Sequence, residues 1–221
     1  YAKARADLLA SPPLELMLDG HDLSASSIML DEHDSKSLLA KAGLDIPRAL
    51  LISDLANIAA SPMPADIRFP LVAKAVSPDM PHKTELGAVK LGLTDWPAVI
   101  LACQDIQKNC AQLAPHARLD AIMVEEYVAD SIAELMISLR RDAQFGCILT
   151  IASGGILVEL IKDAKTLIMP SDKSQLADAL DQLATAKLIH GYRGKAGGDM
   201  SAVIQVIETL TDLMAHHHDI H

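Results

Sequence analysis

Aromatic side chains are nearly missing from this chain: Phe, Trp and Tyr make up 3% of its 221 residues. Hydrophobic residues nevertheless make up 50% of it, so a core must be built from Leu, Ile, Val, Ala and Met. Cysteine is scarce as well. Cys103, Cys110 and Cys147 are odd in number and show no CxxC spacing. That excludes a disulfide framework or a zinc site and points to buried or idle thiols in a reducing, cytoplasmic compartment. No basic run occurs, and the net charge is −10. Binding a nucleic-acid backbone needs a positive face, so no nucleic acid is expected as a partner. No apolar run approaches the roughly 20 residues of a bilayer span, and no signal-peptide pattern opens the chain. No membrane partner is expected. GxGxxG, GxxxxGK[ST], HExxH and GxSxG are absent as written, which removes the ordinary Rossmann, P-loop, zincin and hydrolase-elbow signatures.

What is present is concentrated in residues 70–90, PLVAKAVSPDMPHKTELGAVK. An apolar run, Leu71 to Val76, carries one charge in its middle, Lys74. A buried strand does not hold an ammonium among Val and Ala without a partner, because an unpaired buried charge is strongly unfavourable. The partner expected for a strand lysine followed by a polar, His-bearing loop is a phosphate. The alternative is an edge-strand lysine reaching solvent past its stem. His82 lies between Pro81 and Lys83, placed for nucleophilic or general-base work on a phosphoryl group, and its plain alternative is an ordinary loop histidine. Gly87 supplies the freedom such a loop needs.

Along the chain, DEHDSKSLLAKAG predicts a short amphipathic helix stopped by Gly43, with acidic residues at its dipole-favoured start. RALLIS reads as a strand, and Asp54 as the cap of a helix to about Ala60. The run at Leu71–Val76 and the stretch Ala88–Leu93 read as strands, and Trp96 to Leu113 has helical periodicity. DAIMVEEYV is a strand that turns polar at Glu125 and Glu126. AELMISLRRD and GCILTIAS form an antiparallel pair joined at RDAQFG. GGILVELIKD follows Gly154-Gly155, and residues of about 172–186 and 198–214 are helices flanking LIHGYRGKAGG. This order fits two α+β lobes better than one doubly wound sheet.

Two groups of carboxylates stand out. Glu125, Glu126 and the later Glu134 read either as a solvated strand end or as a hinge, where backbone meets an adenine edge and a carboxylate accepts from ribose hydroxyls. Glu159 and Asp163, four apart among Ile, Leu and Val, suit Mg²⁺, which takes one or two carboxylates plus substrate phosphates. Their alternative is a structural carboxylate paired with Lys162 or Arg140.

Taken in order, AGLDIPRALLIS, FPLVAKAVSPDMPHKTELGAVKLGL, IMVEEYV, AELMISLRRDAQFG, GGILVELIKD and HGYRG resemble the ATP-grasp domain of the NDP-forming acyl-CoA synthetases. These are the ADP-forming acetyl-CoA synthetase group, related to succinyl-CoA synthetase. The resemblance runs from about Asp31 to Met214. It implies an α+β, ATP-grasp fold, with a nucleotide cleft between two lobes, one carrying the Lys74 strand and the other the Glu159 strand. It implies ATP and Mg²⁺, and conversion of a small carboxylic acid and CoA to acyl-CoA through phosphohistidine. His82 matches a loop histidine that carries the phosphoryl group, and Lys74 the lysine on nucleotide phosphates. Glu125, Glu126 and Val128 match the adenine hinge, Glu134 the ribose position, and Glu159 and Asp163 the metal acids. Departures are Ala88 in the usual GGV, RDAQFGC for RDPQFGP, and Ser153 before the glycine pair.

No CoA-binding or CoA-ligase domain lies within these residues, so the resemblance implies one on the same longer chain or on a partner subunit. Residues 1–30 are expected to be a lead-in from a preceding domain, 31–215 the ATP-grasp domain, and 216–221 a His-rich tail. The alternative function is a non-catalytic, nucleotide-sensing regulatory module of a fused acyltransferase.

Overall fold

A computed structural model describes residues 30–60, 62–80, 83–155, 163–217 and 220. The chain divides after Asp130 into two compact units. Among the described residues no helix is long and apolar enough to cross a membrane.

The unit before Ser131 opens with helix α1, Glu32–Lys41. Asp31 caps it, its side chain accepting from the Asp34 N–H at 2.9 Å. Gly43, at φ +91°, ends it as expected, its N–H bonding the Ala40 carbonyl. Strands β1 (Ala49–Ile52), β2 (Leu71–Val76), β3 (Val89–Leu93) and β4 (Ala121–Glu126) form one sheet in the order β1-β4-β2-β3, with every pairing antiparallel. Helix α2 spans Trp96–Leu113, the range its periodicity predicts, with Asp95 accepting from the Ala98 N–H at 2.8 Å. Its Val99, Cys103 and Ile106 pack with Leu71, Ala73 and Ala75 of β2 and Ile122 and Val124 of β4. The other face of the same two strands buries Val76, Ala121 and Met123. Burial on both faces explains why β2 is apolar throughout except at Lys74.

One local expectation fails here. Leu55–Ala60 is a 3₁₀ segment kinked at Asn57, not an Asp54-capped α-helix. The Asp54 carboxylate is taken by the Asn57 side-chain amide at 2.9 Å, and among the described residues it caps no backbone N–H.

The unit after Asp130 holds β5 (Leu135–Asp142), β6 (Gly146–Ser153) and β7 (Ala164–Ile168), antiparallel in that order. The hairpin turn lies where RDAQFG places it: Asp142 Oδ1 accepts from the Gln144 and Phe145 N–H groups, and Gly146 takes φ +75°. Helix α3 (Lys173–Asp181) begins in a capping box between Asp172 and Gln175. It stops short of the expected Ala186, where the short helix α4, Ala186–Ile189, begins anew. The break is pinned by Asp163, whose Oδ2 takes the Ala184 N–H at 2.6 Å. Helix α5 (Met200–His216) is capped by Asp199. Its C-terminal end is held by Arg141, which donates to the Met214 and His217 carbonyls and, at 3.1 Å, to that of Ile220. Leu149 and Ile151 pack with Leu176, Leu180 and Ile207 of the helices.

Gly154 ties the end of β6 to the start of β5. Its N–H donates to the Glu134 carbonyl at 2.7 Å, and a Cβ there would stand 2.7 Å from the Glu134 carbonyl carbon and 2.8 Å from its oxygen. Backbone cannot swing aside as a side chain does, so Gly154→Ala is expected to destabilise the chain by about 1–3 kcal/mol. A lowered urea midpoint at unchanged m-value reads that effect.

Candidate functional site

Lys74 does not wait for an external partner. Its ammonium donates to Glu32 Oε1 at 2.8 Å and to Glu125 Oε1. Lys36 does the same from the next turn of α1, reaching Glu32 Oε1 at 3.0 Å and Glu125 Oε2. Lys83, just after the His82 position, reaches Glu32 Oε2 at 3.4 Å. Where the sequence pointed to a phosphate as the partner of this strand lysine, two carboxylates of the chain already share its charge. The β2–β4 register explains half of the arrangement. Val72 stands opposite Glu125 and Lys74 opposite Met123, so Lys74 and Glu125 are diagonal neighbours on one face. The i, i+4 spacing of Glu32 and Lys36 supplies the other half.

Three ammonium groups and two carboxylates leave the cluster with net charge +1. Glu125 is 4% exposed, so it serves as an anchor inside the sheet. The Glu32 side chain is 29% exposed and is the one carboxylate here that Lys36, Lys74 and Lys83 all hold. Burial pushes the Glu32 carboxyl up, but the hydrogen bonds and charges of Lys74 and Lys36 outweigh it and bring the pKa down from 4.5 to about 2. For Lys74, burial works against the charged form, and Glu125 and Glu32 more than reverse it, so its pKa lies above the usual 10.5. Converging ammonium groups that hold an oxyanion at a solvent-reachable point are what phosphate recognition requires. The sequence did not mark Glu32 or Lys36, which read there as the polar side of an amphipathic helix. Their i, i+4 spacing was the one available signal.

The other expected site residues lie as follows. Glu126 Oε1 accepts from the Arg68 N–H at 2.9 Å, and the Tyr127 N–H donates to the Pro70 carbonyl at 2.9 Å, tying the end of β4 to the chain entering β2. Val128 is 61% exposed. The buried Glu125 carboxylate, spent on two lysines, stands apart from the hinge reading given to it with Glu126 and Val128. Glu134 and Asp163 belong to the unit after Asp130. Glu134 is exposed, and its carbonyl holds Gly154. Asp163 accepts from Ser153 Oγ at 2.5 Å and from the Ala184 N–H, which hold its carboxyl below the usual range. Arg140 pairs with Asp142 at 3.5 Å. Among the described residues no three His, Cys, Asp or Glu side chains group around a possible metal position. The donor chemistry of Asp163 still fits Mg²⁺, a hard oxygen held ionised by its neighbours. His82 and Glu159 lie outside the described residues.

A model of the ATP-grasp domain matches residues 22–221. The chain belongs to the ATP-grasp family. Its α+β architecture of two antiparallel sheets with helices is the fold that the sequence resemblance implies. The chain is 29% identical over 154 residues to the ADP-forming acetate–CoA ligase I of Archaeoglobus fulgidus, covering 70% of this ATP-grasp chain and 22% of the ligase. It is 24% identical over 183 residues to the beta subunit of ADP-forming acetate–CoA ligase II of Pyrococcus furiosus, covering 83% of the chain and 76% of the subunit. Among solved structures it resembles dinucleotide-forming acetyl-coenzyme A synthetase 1 of Ca. Korarchaeum cryptofilum in complex with coenzyme A and Ca-AMPCP. That match has TM-score 0.77 and 28% identity over 86% of this chain and 81% of that one. The same protein, solved with acetyl-coenzyme A and a phosphorylated phosphohistidine segment, matches at TM-score 0.71 and 27% identity over 86% of this chain and 81% of that one. This ATP-grasp chain spans about a quarter of several curated relatives it matches, from 22% to 27% of their length.

Proposed function

We propose that this chain is the nucleotide-binding, phosphoryl-transferring part of an ADP-forming acyl-CoA synthetase, acting in the cytoplasm on a small carboxylic acid and CoA. The observation that carries the reading is the set of three ammonium groups, from Lys36, Lys74 and Lys83, around the Glu32 carboxylate in a member of the ATP-grasp family. Lys74 and Lys83 bind the nucleotide phosphates. Glu126, Val128 and the backbone beside the Glu125 anchor meet the adenine, and Glu134 meets the ribose. His82 accepts the phosphoryl group and passes it to a CoA-ligase domain, on the same longer chain or on a partner subunit. Glu159 and Asp163 would hold Mg²⁺, which when bound neutralises charge on the phosphates. The 31–215 stretch is the ATP-grasp domain in this reading, with 1–30 a lead-in and 216–221 a tail.

Calorimetry with Mg-ATP tests it. Lys74→Ala removes one charge-assisted phosphate contact, about 1.5–3 kcal/mol, so affinity is expected to fall about ten- to a hundred-fold. Lys74→Arg is expected to restore it incompletely, because the planar fork is longer and meets Glu32 and Glu125 in a different geometry. Unchanged affinity in Lys74→Ala, with the fold intact by urea titration, refutes the phosphate role.

A further inference from the structure

The loop between α4 and α5, His190–Gly198, has no part in the proposal above, although HGYRG is among the stretches that carry the family resemblance. Its base is closed by backbone. The Gly191 N–H donates to the Leu188 carbonyl at 3.0 Å and the Gly198 N–H to the Ile189 carbonyl at 2.8 Å. A Cβ on Gly197 would stand 2.4 Å from the Ile189 oxygen, so main chain packs directly on main chain there. A loop clamped this way holds its tip in one place.

At that tip the Lys195 N–H donates to the Tyr192 carbonyl at 3.1 Å, and the two residues between them, Arg193 and Gly194, have φ +51° and +79°. Positive φ at both central positions is the pattern of a type I′ turn, which Asn, Asp and Gly serve and long L side chains resist. Arg193 is the only non-glycine residue with positive φ among the described residues. The turn gains nothing from an arginine. Side chains held in such a conformation cluster at functional sites.

The guanidinium is poised. Its Cζ lies 5.3 Å from the centroid of the Tyr192 ring, and both side chains are exposed. A guanidinium over a ring face is attracted by the ring and keeps its N–H groups for contact with an oxyanion. Among the described residues neither Arg193 nor Lys195 pairs with a carboxylate, and the nearby Asp181 is engaged with His190 at 2.6 Å. Two uncompensated cations on a clamped loop stand out in a chain of net charge −10.

The geometry points to a binding site for a phosphoryl group of a nucleotide-type ligand, formed by Tyr192, Arg193 and Lys195. Arg193 takes two oxygens through its fork, Lys195 supplies the second positive charge that a phosphate dianion needs, and the Tyr192 ring attracts the guanidinium. Two sources carry this chemistry: the triphosphate of ATP, and the diphosphate and ribose phosphate of coenzyme A. The second source rests on the acyl-CoA synthetase reading above, and the first does not.

Calorimetry on the full chain with inorganic pyrophosphate, Mg-ATP, coenzyme A and dephospho-coenzyme A decides the matter, using Arg193→Gly and Lys195→Ala. Glycine accepts the φ of Arg193 without strain, so Arg193→Gly is expected to melt at the same or a higher temperature. It is expected to bind pyrophosphate at least tenfold more weakly, and Lys195→Ala several-fold more weakly. A matching loss for coenzyme A but not Mg-ATP assigns the site to coenzyme A, and the converse assigns it to the triphosphate. If dephospho-coenzyme A already binds as weakly to the unaltered chain as coenzyme A does to Arg193→Gly, the ribose phosphate is the group held. Unchanged affinity for all four probes in both variants overturns the proposal, as does a lowered melting temperature in Arg193→Gly, which would make Arg193 a residue of the fold. Lys74→Ala run in parallel separates the two readings: loss of Mg-ATP binding there alone leaves the nucleotide proposal standing and removes this one.

Discussion

Glu125→Leu is expected to lower the unfolding free energy by about 2–4 kcal/mol, the cost of leaving ammonium groups without their partner in a largely buried place, reduced from the fully buried case because Lys36 and Lys74 are partly solvated. Glu125 is 4% exposed and bonds both lysines. Its removal raises the cluster from net +1 to +2, with Glu32 as the sole remaining carboxylate. Chemical denaturation of the two proteins measures this, and a difference below about 0.5 kcal/mol, the scale of an ordinary surface substitution, would show that solvent already screens the lysines. The same cluster sets an acid limit. Glu32 has a pKa of about 2 in the fold against an ordinary 4.5. A carboxyl depressed by folding contributes stability that is complete above its unfolded pKa and is lost as pH falls through the folded one. Stability should therefore decline between about pH 4.5 and pH 2, and Glu32→Gln should flatten that limb.

His82→Ala is expected to abolish phosphoryl transfer while leaving Mg-ATP affinity within about tenfold, a change under 1.4 kcal/mol. In the proposed step a neutral imidazole nitrogen attacks the γ-phosphorus, the bond to the β–γ bridging oxygen breaks, and ADP leaves. Lys83, which follows His82, and Lys74 are cations that can steady the developing charge. Incubating γ-labelled ATP with the chain and the CoA-ligase domain proposed for it follows the label from the nucleotide to that domain. Normal labelling in His82→Ala would make the imidazole a spectator that orients phosphates at most. The contrast with Lys74→Ala is what gives the pair its force, since one variant should lose binding and keep the nucleophile and the other the reverse.

Much of the fold was legible because it is written at short range. Helix α2 follows from a 3.6-residue period bounded by Asp95, and β5 and β6 from two apolar runs around RDAQFG. Strand β7 was not legible: AKTLI has only five residues, one of them a lysine, and pairs on a single side. The charge in β2 marked Lys74 as a site residue, yet its partners Glu32 and Glu125 are 42 and 51 positions away, beyond any local pattern. Glu125 misled for a related reason. At the end of an apolar strand a carboxylate reads as emerging into solvent, whereas the β2–β4 register buries it beside Lys74. Asp163 stands out in the sequence as a charge near an apolar run, but its capture of the Ser153 hydroxyl and the Ala184 N–H depends on approaches across 10 and 21 residues.

The grip of Arg141 on the end of α5 also imposes an order of events on synthesis. The hairpin of β5 and β6 can close as soon as it is made, but the carbonyls that Arg141 binds belong to residues 73 to 79 positions later. Until Met214 and Ile220 have been translated and have cleared the ribosome, that guanidinium has no acceptors from the tail and the helix end has no cap. Loop-closure entropy makes such distant contacts late ones. This unit therefore matures from a nascent hairpin to its native form only once the chain through Ile220 has emerged.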